Sequence, residues 1–492
     1  MSAPAHAPAR ASGGEAGSSG DGQGQQARGD REMGNPTSPA TRGRPLGATR
    51  RQTLLGVVLA GASGTLAAAC GAGAPSDGIG PGGPPKEKVQ LSYPMWLSPQ
   101  ERATVEKACE ALTAKFPTIQ VVTESSGEKD MIAKLITSVA SGAPPDLAAS
   151  NDKMFTEIAM ANAYADLTPY LNRDKAQVDV NDYYPVYLAA TKLRGKQYGL
   201  PDYAGTGVFY YNRLLFERVG APLPDNTWTW DTFEEIGRKL TRDSDGDGKI
   251  DTFASNAFME DIRWAHHVFW SVGGTIFDGF GPLVPKDTRV KVYSPQNVKA
   301  LERYVKWASG QNIVPVPGQT QGDPWRDGKY ALFAGGRTGV PTYKTFDWIN
   351  QYGGMVPPPR GTAKPRSRSG VRYITMPKGV KYPDASWEAM KFLSGKEGLS
   401  ITMAEGRTQA VRKSLEEVFE KTLQPWENAK VYQESARLYA DPVPSPVQWY
   451  EHETLVKQHV QAAVQSKETP DAALRLLQDD IERTIKTFSQ QE

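Results

Sequence analysis

The sequence is poor in cysteine, in long apolar runs and in charge of one sign. Only Cys70 and Cys109 occur among 492 residues, so a disulfide framework cannot hold the fold together. No stretch reaches the roughly 18 unbroken apolar residues that a membrane-spanning helix requires. The 57 basic and 55 acidic residues give a formal net charge of +2. That balance gives no electrostatic reason to expect nucleic acid as a partner, because its binding needs a concentrated basic face.

Histidine is also scarce, and its arrangement does not favour a catalytic metal. Two of the five histidines, His266 and His267, are adjacent, so on a helix their rings point about 100° apart. That geometry is unlike the paired ligands of an HExxH motif, and no G-x-S-x-G nucleophile elbow is present. Cys109 lies in a helical pattern, which favours a buried structural thiol over a nucleophile. A carboxylate pair for glycoside hydrolysis stays open, and a secreted carbohydrate-active hydrolase is therefore one alternative function. A surface adhesion protein is a second alternative.

The first 88 residues contain targeting and linking segments. Residues 1–48 are rich in Gly, Ala, Pro, Ser and Arg, a composition that cannot bury enough apolar surface to fold. Residues 49–70, TRRQTLLGVVLAGASGTLAAAC, combine paired arginines, an apolar stretch and small residues, which are the three parts of an export signal. Residues 71–88 are rich in Gly and Pro and are predicted to form a flexible tether. The basic stretch after Met33 favours this methionine as the true start, with residues 1–32 a mis-called extension, and Met1 stays open as the alternative start.

The export signal resembles two known types. Its TRRQTLL stretch is similar to a twin-arginine signal, which is read by a receptor that passes folded cargo. Its end resembles a lipoprotein box, in which the cysteine, here Cys70, becomes the lipidated first residue of the mature protein. Ala67 stands where the usual box has Leu or Val, and simple cleavage or an uncleaved anchor stay open as alternatives. Lipidation would hold the protein on the outer face of the cytoplasmic membrane, at the cell surface or in the periplasm.

Alternating strand and helix patterns begin at residue 89. VQLSYPMW, IQVVTES and DLAAS read as strands, and two helical segments lie between them. This β-α-β-α-β order predicts a parallel sheet with helices on its faces. Ligands of such sheets bind beyond the carboxyl ends of the strands. The loops at Trp96–Glu101, Ser125–Lys129 and Ser150–Lys153 are therefore candidate site loops.

Later segments carry a family resemblance. GKQYGLP, YYNRLLFERVG, TWTWDTF, DGKYALFAGG and KFLSGKEGLSITMAEGRTQAVRKSL occur in an order that resembles extracellular solute-binding proteins of the maltose-binding type, in lipoprotein form. The resemblance covers essentially residues 89–492. It implies an α/β, two-lobed periplasmic-binding-protein fold (type II), in which each lobe is a mixed or parallel sheet flanked by helices. The implied N-lobe comprises residues 89–203 and 370–415, and the implied C-lobe comprises residues 204–369 and 416–492.

The resemblance also implies binding without catalysis. Proteins of this type trap a solute by hinge closure, because the solute contacts both lobes only when they are shut. They deliver it to the permease subunits of an ATP-driven (ABC) importer. For this chain the resemblance implies a monomer, no catalytic cofactor and a small-molecule carbohydrate ligand, either an oligosaccharide or a sugar derivative.

The candidate ligand-binding residues follow from what a sugar presents. Its rings expose flat C–H patches that aromatic faces bind, and its hydroxyls need polar partners. By their places in the resembled family, the candidates are Trp96, Asn151, Asp152, Tyr203, Trp264, Arg337, Trp449 and Tyr450. Trp449 and Tyr450 fall where maltose-binding relatives place a stacking pair. Each aromatic residue could instead pack in the core.

Two stretches that contain arginine, FAGGRTG and RSRS, predict different environments for their side chains. Arg337 stands in FAGGRTG, where the resembled relatives have a tryptophan next to the glycines. That difference favours a ligand that is more polar or acidic. The RSRS stretch at Arg366–Ser369 is predicted to be a solvated loop at the crossover between the lobes.

The acidic run DSDGDGKID matches a calcium loop. With Asp243 taken as position one of the loop, the candidate metal ligands are Asp243, Asp245, Asp247, the backbone carbonyl of Lys249 at position seven, and Asp251 at position nine. The bidentate glutamate of position twelve is missing, since Ala254 stands there. Carboxylates this close repel one another by about 1 kcal/mol per pair at 4 Å in water, and a divalent ion relieves that repulsion. Structural Ca²⁺ is the favoured interpretation, and an empty solvated turn or a regulatory ion stays open.

Overall fold

A computed structural model describes residues 79–404 and 406–490, without the side chain of Gln100. The predicted signal, Cys70, Met33 and residues 71–78 of the tether lie outside the described residues. The strands are β1 (Val89–Met95), β2 (Ile119–Ser125), β3 (Ala148–Asn151), β4 (Lys192–Leu193), β5 (Lys196–Gln197), β6 (Gly199–Thr206), β7 (Val208–Asn212), β8 (Phe253–Ser255), β9 (Pro282–Leu283), β10 (Tyr330–Gly335), β11 (Gly353–Val356), β12 (Ser367–Thr375), β13 (Ala440–Pro442) and β14 (Ser445–Pro446).

Helices follow most of these strands. They are α1 (Pro99–Lys115), α2 (Asp130–Ala140), α3 (Phe155–Met160), α4 (Thr168–Arg173), α5 (Lys175–Val178), α6 (Pro185–Ala189), α7 (Arg213–Arg218), α8 (Trp230–Leu240), α9 (Ile262–Ser271), α10 (Pro295–Val305), α11 (Val340–Tyr343), α12 (Asp347–Tyr352), α13 (Pro383–Leu393), α14 (Lys396–Met403), α15 (Glu416–Lys421), α16 (Val431–Glu434), α17 (Trp449–Val464) and α18 (Pro470–Ser489). Within the described ranges, none of them combines the length and the apolar character that crossing a bilayer would take.

Helix α1 begins where the sequence supplies a complete capping box. The Ser98 hydroxyl accepts from the backbone N–H of Glu101, and the Glu101 carboxylate accepts from the backbone N–H of Ser98 at 2.8 Å. These two bonds satisfy donors that the first turn leaves free, and Pro99 suits the first helical position. Cys109 is buried on the inner face of this helix. Burial, together with Glu106 and Glu110, raises the pKa of its thiol to about 12, which keeps it protonated and disfavours a nucleophilic role.

The first sheet confirms part of the predicted strand order. Strands β1 and β2 pair in parallel, with Val89 opposite Ile119, as a β-α-β unit requires. The third strand is a correction, because β3 forms its ladder antiparallel with β12, with Ala148 opposite Thr375. Strand β3 stays next to β1 through the hydrogen bond from the Leu147 N–H to the Ser92 carbonyl, at 3.0 Å. A local pattern reports the order of strands along the chain, whereas pairing with β12 depends on residues more than 200 positions away.

Strand β12 is the centre of a second set of strands. It pairs antiparallel with β6, with Arg372 opposite Tyr203, and parallel with β13, with Ser367 opposite Ala440. Consequently Ser367, Arg368 and Ser369 are buried. The prediction of a solvated loop at RSRS was therefore wrong for three of its four residues, because strands on both sides cover this segment.

The remaining large sheet has the order β11-β7-β10-β8. Strand β10 is antiparallel to β7 and parallel to β8. Successive side chains of a strand point to opposite faces, and in β7 Phe209 enters one hydrophobic core while Tyr210 enters the other. One core collects residues around β1, β3, β6, β12 and α13, and the other collects residues around α8, α9, α10, α17 and α18. The residue boundaries given above for the two lobes stay a prediction.

Candidate functional site

A cavity of about 320 Å³ opens at the carboxyl ends of β1, β2 and β3. Trp96 and Leu97 come from the loop after β1, and Glu101 comes from the first turn of α1. Glu128 comes from the loop after β2, and Asn151, Asp152 and Lys153 come from the end of β3 and the turn after it. All three loops that strand order predicted therefore lie together. The opposite wall consists of residues from β6, β12, the N-terminal part of α9, the segment after β10 and the segment after α14.

Five of the eight predicted ligand-binding residues line this cavity. They are Trp96, Asn151, Asp152, Tyr203 and Arg337. The rings of Trp96 and Tyr203 are half-buried, so each can offer a face to a ligand. Burial raises the pKa of Tyr203 to about 12, and its hydroxyl therefore stays protonated at neutral pH.

Trp264, Trp449 and Tyr450 are not part of the cavity wall. Trp264 is buried and packs edge-on against Phe209, at 5.1 Å between ring centroids. Trp449 is fully buried in the core that contains α17 and α18. Gln448 before it has a φ of 56°, and this left-handed residue starts α17 with Trp449 directed inward. The structure thus makes Trp449 a core residue rather than a stacking surface.

Tyr450 is the next residue on α17, and its ring lies closer to the site. It is half-buried, and the ammonium groups of Lys129 and Lys153 lie 5.1 and 5.2 Å from its ring centroid. Because Lys153 lines the cavity, Tyr450 contacts the site through that side chain.

Asn151 and Asp152 differ in what they can still bind. The Asn151 amide donates to Glu128 at 2.6 Å, and its oxygen accepts from the Lys153 N–H at 3.0 Å. Asp152 is buried, and its Oδ2 has no hydrogen-bond partner among the described residues. Burial raises the pKa of this carboxyl. Asp152 therefore offers a free acceptor, which a ligand hydroxyl could satisfy.

Arginine dominates the wall and was largely missed by sequence reasoning. Besides Arg337, the cavity is lined by Arg263, Arg368, Arg372 and Arg407. A signal for two of them exists, since Arg368 and Arg372 are four positions apart in β12, a spacing that puts side chains on one face of a strand. This spacing predicts a shared face only if Ser367–Thr375 is recognised as a strand.

Arg337 is held by aromatic rings. It is 1% exposed, and its guanidinium carbon lies 4.4 Å from the Phe419 ring centroid and 5.1 Å from that of Tyr432. Burial lowers its pKa. Gly205 permits this arrangement, because a Cβ at that position would lie 3.2 Å from the Cβ of Arg337.

The acidic loop lies apart from the cavity, and the structure brings three of its carboxylates together. One oxygen each of Asp243, Asp245 and Asp247 lies within 4.8 Å of the others. Asp251, the remaining predicted carboxylate ligand, is not in this cluster and makes protein contacts instead. It accepts from the Ser244 N–H at 2.9 Å and from Lys329 Nζ at 3.1 Å.

Those contacts account for the charge of Asp251. Although partial burial opposes the shift, hydrogen bonds from Ser244 and Lys329 lower its pKa to about 2. The carboxylate is thus neutralised by a lysine from outside the loop, which counting along the loop could not reveal. Lys249, whose carbonyl was the predicted ligand, places its ammonium 3.8 Å from Asp247.

Sequence comparison gives a family match and distant relatives. The model of the family described as bacterial extracellular solute-binding protein matches residues 98–399. The arabinooligosaccharide-binding protein of Bacillus subtilis (strain 168) is 25% identical over 186 residues, which are 37% of this chain and 38% of that protein. A binding protein of Brucella abortus (strain 2308) is 23% identical over 300 residues, which are 59% of this chain and 68% of that protein.

Solved structures agree with the fold. An ABC substrate-binding protein of Listeria monocytogenes in complex with cycloalternan has a TM-score of 0.69 and 22% identity, with 81% of this chain and 100% of that chain covered. The sugar-binding protein MalE of Xanthomonas citri has a TM-score of 0.70 and 18% identity, with 82% and 98% covered. These similarities confirm the two-lobed periplasmic-binding-protein fold (type II). Because the family match spans more than half of its length, this chain belongs to the bacterial extracellular solute-binding protein family.

Proposed function

We propose that this protein captures a carbohydrate in the cavity and delivers it to the permease subunits of an ABC importer. The observation that carries the proposal is the composition of the cavity wall, where the half-buried rings of Trp96 and Tyr203 accompany the unpartnered carboxylate oxygen of Asp152. Aromatic faces suit the C–H patches of sugar rings, and free acceptors suit their hydroxyls. Related proteins named above are described by the oligosaccharides that they bind.

The dimensions of the cavity are consistent with this ligand class. Its volume of about 320 Å³ falls in the range of about 300–1,000 Å³ that small-molecule sites occupy. Several members of its wall are already engaged with protein partners, as Asn151 is with Glu128. Such engaged groups fix the shape of the site before the ligand arrives, which lowers the entropy that binding costs.

Capture would involve closure of two lobes about the strands that cross between them. The proposed lobes comprise residues 89–203 with 370–415 and residues 204–369 with 416–492. Strands β6 and β12 then form the crossovers, and they pair with each other from Gly199 to Thr206. Because Tyr203 and Arg372 of these strands line the cavity, ligand contact and hinge geometry are linked at the same residues.

The proposal also includes attachment of the protein to the membrane and a bound calcium ion. Members of this family are extracellular, so the protein is exported, and we infer that the lipidated Cys70 anchors it at the membrane. The protein would act as a monomer without a catalytic cofactor. A structural Ca²⁺ held by Asp243, Asp245 and Asp247 would relieve the repulsion of three neighbouring carboxylates.

Thermal unfolding in the presence of candidate sugars tests carbohydrate capture. A panel of neutral and acidic oligosaccharides is added to the purified protein, and mass spectrometry then examines each sugar. A binder gains stability, by about 2.7 kcal/mol at 100 times the dissociation constant, and leaves the sugar intact. Trp96→Ala should remove most of the gain, whereas Trp348→Ala, a half-buried tryptophan outside the cavity, should keep it. A cleaved sugar would favour a hydrolase, and absence of any stabilisation by sugars would contradict the proposal.

A further inference from the structure

Arg368 is one of the cavity arginines that form no ion pair with another described residue. Arg368 is 6% exposed, and its Nε has no hydrogen-bond partner among the residues that the structure describes. Its neighbours on the same segment differ, since Arg366 pairs with Asp441 at 3.1 Å and Arg372 pairs with Asp202 at 2.8 Å. No such ion pair occurs for Arg368 within residues 79–404 and 406–490. A buried charge without a partner is costly, and an anionic ligand would supply that partner.

The guanidinium of Arg368 borders the cavity. A Cβ on Gly336 would lie 3.6 Å from its Nη2, and a Cβ on Gly370 would lie 3.7 Å from its Nη1. Both glycines line the cavity. The absence of side chains at these two positions leaves the outer edge of the guanidinium uncovered. Behind it lies the ring of Trp264, with 5.6 Å from the guanidinium carbon to the ring centroid.

Six cationic side chains, Arg368 among them, and three acidic side chains line the described wall of the cavity. The other cations of the wall are paired or partly balanced: Lys153 with Glu128, Arg407 with Glu101, Arg372 with Asp202, and Arg263 near Asp152 and Asp261. Asp152 and Asp261 are also the acidic groups that act on Arg368. Arg337 has no hydrogen-bond partner among the described residues and lies against aromatic rings. Among the described residues, four carboxylates thus act on Arg263 and two of these also act on Arg368, while the lining itself carries more cationic than acidic side chains.

We propose that the captured solute is an anion, and that Arg368 binds its carboxylate or phosphate group. This inference rests on the proposed capture of a carbohydrate, so the ligand class is an acidic sugar, either a uronic acid oligomer or a sugar phosphate. The guanidinium edge can donate two parallel hydrogen bonds to either group, while the rings of Trp96 and Tyr203 contact the sugar. Asp152 would accept from a hydroxyl of the same ligand and orient it.

Matched pairs of ligands test the charge of the solute. Digalacturonic acid is compared with galactobiose, and maltose 6′-phosphate with maltose, by calorimetry and by thermal unfolding. Inorganic phosphate and sulfate serve as probes that contain no sugar. We expect the charged member of at least one pair to bind about tenfold more tightly or better than its neutral partner. Which pair shows the difference distinguishes a carboxylate from a phosphate. The affinity of the charged member should fall as NaCl rises from about 50 to 500 mM.

Substitutions at two neighbouring arginines locate the charge effect. Arg368→Gln should lower the affinity for the acidic ligand about tenfold or more and remove its salt dependence. Arg368→Lys should retain part of the affinity, because the charge remains and the forked geometry is lost. The matched control is Arg366→Gln, two residues away and outside the cavity, which should bind as the wild type does. Circular dichroism and the melting temperature of each variant establish that it is folded.

The outcomes separate the two proposals. Neutral sugars that bind as tightly as acidic ones, with no effect of Arg368→Gln, would overturn the inference about charge and leave carbohydrate capture intact. Sugar-free carboxylates such as citrate that bind through Arg368, with no sugar binding, would overturn carbohydrate capture and support the anionic site. If no acidic sugar, phosphate or sulfate stabilises the protein in a manner that depends on Arg368, the anionic site is refuted.

Discussion

Arg372 donates hydrogen bonds from Nε and Nη2 to the two carboxylate oxygens of Asp202, at 3.2 and 2.8 Å. The pair joins β12 to β6 next to the cavity, and the two side chains are 12% and 9% exposed. Such a two-pronged contact defines both distance and orientation. It therefore fixes how the two crossing strands lie relative to each other at the site.

Removal of one member of this pair should be costly. Asp202→Asn leaves the buried Arg372 charge without its ion-pair partner, and we expect a loss of about 3–5 kcal/mol in the free energy of unfolding. Combining Asp202→Asn with Arg372→Met should recover much of the loss. Urea unfolding measures both. The control is Asp441→Asn, whose pair with Arg366 is 35% and 34% exposed, and which should cost about 1 kcal/mol or less. Equal losses at the two sites would contradict this account of burial.

Two of the three tryptophans that the sequence assigned to the ligand, Trp449 and Trp96, should behave differently. Trp449→Ala removes a fully buried ring from the core and should cost about 3–5 kcal/mol of stability. Its effect on ligand affinity should be small by comparison. Trp96→Ala removes a half-buried ring from the cavity wall and should weaken ligand binding with little loss of stability. Urea unfolding and calorimetry with a bound sugar measure the two effects, and a reversal of this pattern would make Trp449 the ligand-binding residue.

Three buried histidines predict a loss of stability in mild acid. Burial lowers the pKa of His266, His267 and His452 to about 3, whereas an unfolded histidine has a pKa of about 6.5. Below about pH 6.5 these three histidines bind protons in the unfolded state, whereas they stay neutral in the folded state. Stability should therefore fall as the pH drops, by about 1.4 kcal/mol per pH unit for each histidine.

Urea unfolding between about pH 7.5 and pH 5 measures this slope. His452→Phe should reduce it, because the ring of His452 already packs 5.5 Å from that of Phe277 and phenylalanine does not titrate. A slope that is the same in the variant and the wild type would show that His452 is not the group responsible.

The acidic loop predicts a calcium response that depends on specific carboxylates. Ca²⁺ should raise the melting temperature and a chelator should lower it. Asp245→Asn should abolish the response, since Asp245 belongs to the group of three clustered carboxylates. Asp251→Asn should lower the starting melting temperature through loss of the Lys329 pair while the calcium response persists. A melting temperature that neither Ca²⁺ nor chelator changes would exclude the ion.

The site loops were predictable because their position follows from a local rule. Apolar and polar residues alternate along β1, and parallel strands direct their carboxyl ends to one edge. Trp96, Glu128 and Asp152 thus come together from three loops. The pairing of β3 with β12 followed no such rule, and neither did the burial of Trp449, since an aromatic residue suits a core and a binding surface equally.

The sequence by itself determined the parallel pairing of β1 and β2, the loops that form one wall of the cavity and the clustered carboxylates of the acidic loop, because each depends on neighbours in the chain. Only the tertiary structure decided that Arg368 Nε has no hydrogen-bond partner among the described residues and that Asp251 pairs with Lys329. The energy of a charge depends on all groups within a few ångströms of it and on the water that burial removes. Those groups come from distant segments, and only folding brings them together.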